Sequence, residues 1–225
     1  MKSKIIKYCK WFLSSYIWLG LLLLIADVIS KNLVVQNAAN IHGGQGGGVD
    51  IIPGFLGINY TINNKFVFGW DIFKNDATTR IVFVVVSLAI SAALIVFLIK
   101  KWDKINKFYR ACIMMIIAGA IGNSIDRIFY TPEYLNFYSE TAERYVSGVV
   151  DWIDFYGIWP YNFNIADSAV VVAAIMLIVY MIVIDILDAI KKHKEEPKEV
   201  DNTKVLSKTE QEQNKYLEKK EEDNE

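Results

Sequence analysis

The side chains in this chain that could do chemistry are carboxylates with a few polar companions. Asp27 and Lys31 stand four apart. Asn123, Asp126 and Arg127 stand at i, i+3 and i+4, and Asn164 and Asp167 stand three apart, with Asp151 and Asp154 just upstream. On helices, these spacings put each set on one face. Asn164 is placed to cap a helix, which puts Asp167 in the first turn, where the helix dipole favours an anion. Such a set suits proton transfer and water activation, or the binding of protons and cations. Two carboxylates held close cannot both ionise cheaply, so one keeps a proton and the other acts as a base. Spacing alone leaves open which two of Asp27, Asp126, Asp151, Asp154 and Asp167 form the pair.

The elements that must position these groups follow from composition. Hydrophobic residues make up 53% of the 225. From Lys191 to Glu225 there are five apolar residues against 9 Lys and 11 Asp/Glu. Without that stretch, roughly 60% of the first 190 residues are apolar and roughly 15% charged, which excludes an ordinary soluble domain. The net charge of −1 gives no basic field for nucleic acid. Four runs are long and apolar enough to cross a bilayer: Trp11–Ile29, Ile81–Ile99, a run beginning Ala111–Ile125, and Ala166–Ile184 continuing toward Ile190. The first resembles a secretory signal but is long for one and has no A-x-A site, so it reads as an uncleaved helix.

Basic residues set the sidedness. Four Lys lie in the first ten residues and five basic residues in 100–110, against four in 31–80 and two in 127–164. Both termini and the 100–110 loop are therefore expected in the cytoplasm, and the two longer loops outside. This orientation brings Asp27, Asn123, Asp126, Arg127, Asp151, Asn164 and Asp167 to one layer at the outer interface. Singly, Asp27–Lys31 or Asp126–Arg127 reads equally well as an ion pair fixing a helix end. Together at one depth they read as a functional site, because charges in a span are costly without a purpose. Asp185 and Asp188 mark the opposite end.

That layer lacks other catalytic chemistry. His42 and His193 fall on opposite sides of the membrane, and no H-E-x-x-H zinc motif is present. His42 lies in a Gly-rich loop, a poor partner for a serine. Cys9 and Cys112 lie at cytoplasmic ends, read as small packing residues and too few for a disulfide framework. No metal or cofactor is expected.

The remaining segments are simpler. His42–Gly48 is glycine-rich without the G-K-[ST] of a phosphate loop. Ile58, Tyr60 and Ile62 alternate with polar residues, Asn63-Asn64 can turn, and Phe66, Phe68 and Trp70 alternate again, which predicts a small outer hairpin. The tail 191–225 is expected to be a disordered or loosely helical cytoplasmic extension. No internal repeat of the transporter kind is present.

Several blocks resemble a known family. Asp27-Val-Ile-Ser-Lys31, Gly119-Ala-Ile-Gly-Asn-Ser-Ile-Asp-Arg127, Val149-Val-Asp-Trp-Ile153 and Phe163-Asn-Ile-Ala-Asp167 resemble, in order, the D-x-x-[ST]-K, G-A-x-G-N-x-x-D-R, V-V-D-[FW]-I and F-N-x-A-D blocks of the bacterial lipoprotein signal peptidases, signal peptidase II. Ile52-Pro-Gly-Phe55 is similar to the family's I-P-G-[LF] stretch. The resemblance covers roughly residues 10–190.

It implies an α-helical integral membrane protein with four transmembrane helices and a small extracytoplasmic β-rich domain. The protease domain would be 1–190, with 31–80 as the β-rich loop and 128–150 as an extended outer loop. It implies an aspartyl endopeptidase of the bacterial cytoplasmic membrane that removes signal peptides from diacylglyceryl-modified prolipoproteins, acts as a monomer among membrane lipid, and is inhibited by globomycin. Asp151 and Asp167 would be the catalytic pair. Asp27, Lys31, Asn63, Asn123, Asp126, Arg127 and Asn164 would shape the site and hold substrate. The runner-up reading is a small ion- or proton-coupled transporter using the same carboxylates. A structural scaffold is the third.

Two departures stand out. Where the family shows N-T-G-A-A-F-G, this chain has Asn63-Asn-Lys-Phe-Val-Phe-Gly69, which puts the substrate groove in question. Twenty-three residues separate Arg127 from Asp151, where the family's gap is much shorter, so Thr131–Ser147 reads as an inserted outer loop.

Overall fold

A computed structural model describes residues 2–41, 48–64, 76–139, 144–156 and 158–195, with 213 and 215. The chain divides into two compact units, Met1–Ile178 and Val179–Glu225. In the second, the described residues are the last turns of the final helix and two residues of the tail.

The first unit is built on long apolar helices. A short helix α1 (Lys2–Ser15) precedes α2 (Ile17–Gln36), followed by the single turn α3 (Ala38–Ile41). Strands β1 (Val49–Ile52) and β2 (Leu56–Asn63) come next, then α4 (Asp76–Lys101) and α5 (Lys107–Phe129). The turn α6 (Pro132–Leu135) and strands β3 (Tyr138–Ser139), β4 (Arg144–Tyr145) and β5 (Val149–Asp154) lead into α7 (Ile165–Glu195). Four of the helices, α2, α4, α5 and α7, are long and apolar enough to cross a membrane.

The first span differs from its prediction. Tyr16 adopts a left-handed conformation, φ 60°, between α1 and α2. There the Ile17 amide bonds Ser15 Oγ (3.2 Å), and the Trp18 indole takes the Leu13 carbonyl (3.1 Å). The apolar helix therefore runs Ile17–Gln36 and includes Lys31, whereas Trp11 belongs to a separate helix. Neither glycine nor asparagine marks the break, so hydropathy alone merges the two helices.

Helix α5 packs beside α2 and α4. Its Asn106 cap accepts the Tyr109 amide (3.0 Å). Close approach depends on two glycines. A Cβ on Gly119 would meet the Ala166 carbonyl at 2.4 Å, and one on Gly122 would meet Asp27 Oδ2 at 2.7 Å. Small residues thus bring α5 against the start of α7 and the acidic end of α2. Leu98, Ile113 and Ile117 fill the α4–α5 seam.

The sheet extends beyond the predicted hairpin. Strand β2 covers the expected Ile58–Ile62, but its partners are β1 and β5, in the antiparallel order β1-β2-β5. The tight connection is Pro53-Gly54-Phe55, with Gly54 at φ +71°. The expected second strand, Phe66–Trp70, lies outside the described residues, as does Lys65. Strand β1 is four exposed residues after a glycine run, so its pattern carries little strand signal. The sheet therefore joins the two long loops, where the sequence reading placed it in 31–80 alone. Val34, Tyr60, Tyr130, Leu135 and Val150 form the core beneath it.

The inserted loop is anchored to this core. Tyr60 Oη donates to the Leu135 carbonyl (2.6 Å), and Tyr134 Oη donates to Asn32 Oδ1. Burial pushes the Tyr60 and Tyr130 phenols well above their ordinary values. At its other end α7 stays helical to Glu195, five residues into the stretch read as tail.

Candidate active site

The site forms where α2, α5, β5 and the start of α7 converge. Asp27 and Lys31 share one face of α2, and Asn123 and Asp126 one face of α5. Asp151 lies on β5 opposite Thr61 of β2. Asn164 caps α7, its Oδ1 accepting the Asp167 amide at 2.8 Å, as the spacing predicts. The nine residues that the resemblance assigns to the site fall in this one region, Asn63 at its rim.

Two groups of acids are held differently. In the first, Lys31 Nζ reaches Asp27 Oδ2 (2.7 Å), Asp126 Oδ2 (3.0 Å) and Asn123 Oδ1 (3.0 Å). An ammonium has three N–H bonds, so its donors match these three acceptors. All three charged residues are fully buried. Asp27 Oδ1 also accepts the Ala166 amide (2.9 Å) at the start of α7, and Asp126 Oδ2 accepts the Val150 amide (3.1 Å) of β5. The cluster therefore ties two helices to both elements that carry the second group of acids.

In the second group, Asp151 and Asp167 are held by neutral amides. Asn164 Nδ2 donates to Asp151 Oδ1 (2.7 Å), and Asn123 Nδ2 donates to Asp167 Oδ1 (2.7 Å). Asn164 Nδ2 also approaches Asn123 Oδ1 at 3.1 Å and the Val150 carbonyl at 3.3 Å. Both amide orientations follow from the donors facing their oxygens, Lys31 Nζ and the Asp167 amide. The Asn63 side chain also bonds Asp151. Thr61 Oγ1 donates to the Asp151 carbonyl (3.2 Å) and accepts from Asn162 Nδ2 (3.1 Å), fixing β5 at that residue.

Among the described residues, the four carboxylates here face two cations, Lys31 and Arg127, so full ionisation would leave an excess of two negative charges. Asp151 registers that excess. Burial, then the Asp167 carboxylate beside it, push its carboxyl well above the usual range. Asp154 stands apart, half-buried, with its carboxylate taken by Asn59 Nδ2 at 3.3 Å. The five-way choice left by spacing thus narrows by geometry. Asp27 and Asp126 share a lysine, Asp154 bonds elsewhere, and Asp151 and Asp167 face each other through two linked amides.

Sequence reasoning missed Arg80. From the first turns of α4, its Nε and Nη2 donate to the Arg127 carbonyl (3.0 and 2.7 Å), and Nη1 donates to Ser147 Oγ (3.0 Å). It closes the end of α5 onto the segment entering β5. Its signal in the sequence was a lone cation at the head of an otherwise uncharged span. Arg127 itself lies over the Phe83 ring (4.3 Å), and its charge acts on Asp151, Asp167 and Asp126.

Residues 19–183 match the family model described as signal peptidase (SPase) II. A lipoprotein signal peptidase of Fusobacterium nucleatum is 34% identical over 164 residues, 73% of this chain and 84% of that protein. One of Clostridioides difficile is 32% identical over 167 residues, 74% of this chain and 94% of that protein. A solved structure titled as a bacterial membrane enzyme at 2.3 Å resolution superposes with TM-score 0.56 and 26% identity, covering 84% of this chain and 95% of its own. A second, at 1.9 Å, gives TM-score 0.55 and 27% identity, covering 76% and 94%.

Proposed function

The chain belongs to the signal peptidase II family, and on that premise we propose that it is an aspartyl endopeptidase cutting diacylglyceryl-modified prolipoproteins, with Asp151 and Asp167 as the catalytic pair. The observation that carries this is the hydrogen-bonded chain Asp151–Asn164–Asn123–Asp167, which links a buried and a half-buried acid with no cation among the described residues bonded to either. One member of such a pair keeps a proton and the other is a base.

The chemistry follows from that shared proton. The ionised carboxylate takes a proton from water as the water oxygen attacks the scissile carbonyl. The protonated partner donates to the carbonyl oxygen, giving a neutral gem-diol. The proton gained from water then passes to the leaving amine as the C–N bond breaks, and the diol proton returns to the pair. In this reading Asn63, at the rim, and Arg127 hold substrate backbone. The Lys31 cluster keeps the pair in register. The basic N-terminus and 100–110 loop orient the site toward the outer leaflet.

In this family the protease reading takes precedence over the ion-coupled transporter that the same carboxylates could serve. The test is cleavage of a diacylglyceryl-modified precursor by purified protein. Asp151→Asn and Asp167→Asn should each lower the rate about 10³–10⁴-fold or more while the protein still inserts. Cleavage at wild-type rate in either variant would refute the assignment. Ion flux in proteoliposomes, abolished by the same variants while cleavage persists, would favour the transporter.

A further inference from the structure

Helix α1 lies outside everything described so far. Helix α2 has 20 residues, about 30 Å at 1.5 Å per residue, and so spans a hydrocarbon core alone. The 14 residues of α1 are therefore surplus to the span, and Tyr16 separates them from it.

The surplus helix is two-faced. Ile5, Ile6, Cys9, Phe12 and Leu13 fall at i, i+1, i+4, i+7 and i+8, one stripe. Lys4, Lys7, Lys10 and Trp11 occupy the opposite side. Every residue from Lys4 to Leu13 is exposed, so no described part of the protein covers either face. Cys9, expected to pack, is exposed on the apolar stripe.

Among the described residues, contacts fasten α1 near its C-terminal end. Trp11 meets Trp102 at 6.0 Å, Arg110 lies 4.1 Å over the Trp102 ring and donates to the Trp102 carbonyl (2.6 Å), and it reaches the Ser14 carbonyl at 3.5 Å. This contact joins α1 to the loop carrying Lys100, Lys101, Lys104 and Lys107. Residues 1–16 and 100–110 together hold nine basic residues against one acid, Asp103, a net +8.

We infer that α1 lies along the membrane surface at the end opposite the carboxylates, its Ile5–Leu13 stripe sunk among acyl chains and its lysines holding anionic phospholipid headgroups. Charge complementarity selects an anionic leaflet, because a zwitterionic one gives the lysines no net attraction. By the positive-inside rule this leaflet is the cytoplasmic one. The inference is independent of the proteolytic assignment.

The test uses the full-length protein, one copy per lipid nanodisc, labelled with a water-soluble maleimide and read residue by residue by peptide mass. Cys9 is the native probe of the apolar stripe, and Lys7→Cys probes the polar face. In discs of phosphatidylglycerol and phosphatidylcholine, Cys9 should label about ten-fold more slowly than in phosphatidylcholine alone, while Lys7→Cys labels fast in both. Raised salt, or Lys4→Gln/Lys7→Gln/Lys10→Gln, should remove most of that roughly ten-fold difference. Equal labelling of both faces in anionic discs would overturn the inference. Protection of Cys9 that is lost on truncation after Glu195 would assign the stripe to the tail and overturn it as well.

Discussion

Two sets of aspartates share one layer of this molecule and live under opposite conditions. Asp27 and Asp126 face a buried ammonium, whereas Asp151 and Asp167 face the amides of Asn164 and Asn123. An ammonium supplies the opposite charge, and its three bonds cross-link helices. An amide supplies a directed N–H bond without a charge, leaving the carboxylate its affinity for a proton. The difference separates a fastening from the proposed reactive pair, although both are sets of acids on adjacent elements.

Removing one acid at a time probes the contrast most strongly. Asp151→Asn or Asp167→Asn should cost about 10³–10⁴ in precursor cleavage with the folded protein retained, as judged by its melting transition. Next in size, Lys31→Met should destabilise by about 3–5 kcal/mol, since it strands two buried carboxylates. Thermal unfolding in detergent would report this as a large fall in Tm, with Asp27→Asn/Lys31→Met/Asp126→Asn recovering part of it. A Lys31→Met variant as stable as wild type would erase the distinction between the two sets.

The largest features of this arrangement were legible in the sequence for a physical reason. Charges inside apolar runs are expensive, so Asp27, Asn123, Asp126, Arg127 and Asp167 stand out, and helical spacing gives their faces. What joins them across elements was less visible. The Arg80 clamp bonds a backbone carbonyl, and carbonyls have no signature by residue type. Strand β5 is paired through its Asp151 to Thr61, ninety residues earlier, a register that local alternation does not encode. The α1–α2 break rests on one tyrosine in a conformation that its neighbours permit.

Two smaller effects sharpen the comparison. Arg80→Ala should lower cleavage about ten-fold by loosening β5 against α5, mostly in kcat, with Arg80→Lys recovering part. An unchanged rate would show that β5 needs no clamp. Asp151→Asn should raise Tm by about 2–4 °C at neutral pH. The sign follows from the raised carboxyl of Asp151. The folded state binds that proton more tightly than the unfolded chain, so stability falls as pH rises from the ordinary carboxylate range toward the raised folded value. An amide carries no such proton, so the gain should vanish in acid. A Tm gain that is the same at acid and neutral pH would place its origin elsewhere.

The most direct test of the shared-proton pair is a double-mutant cycle on precursor cleavage with Asp151→Asn, Asp167→Asn and both together. Two acids working as one unit predict that the double variant is no slower than either single one. Losses that simply add, or a single variant that still cleaves at wild-type rate, would contradict it.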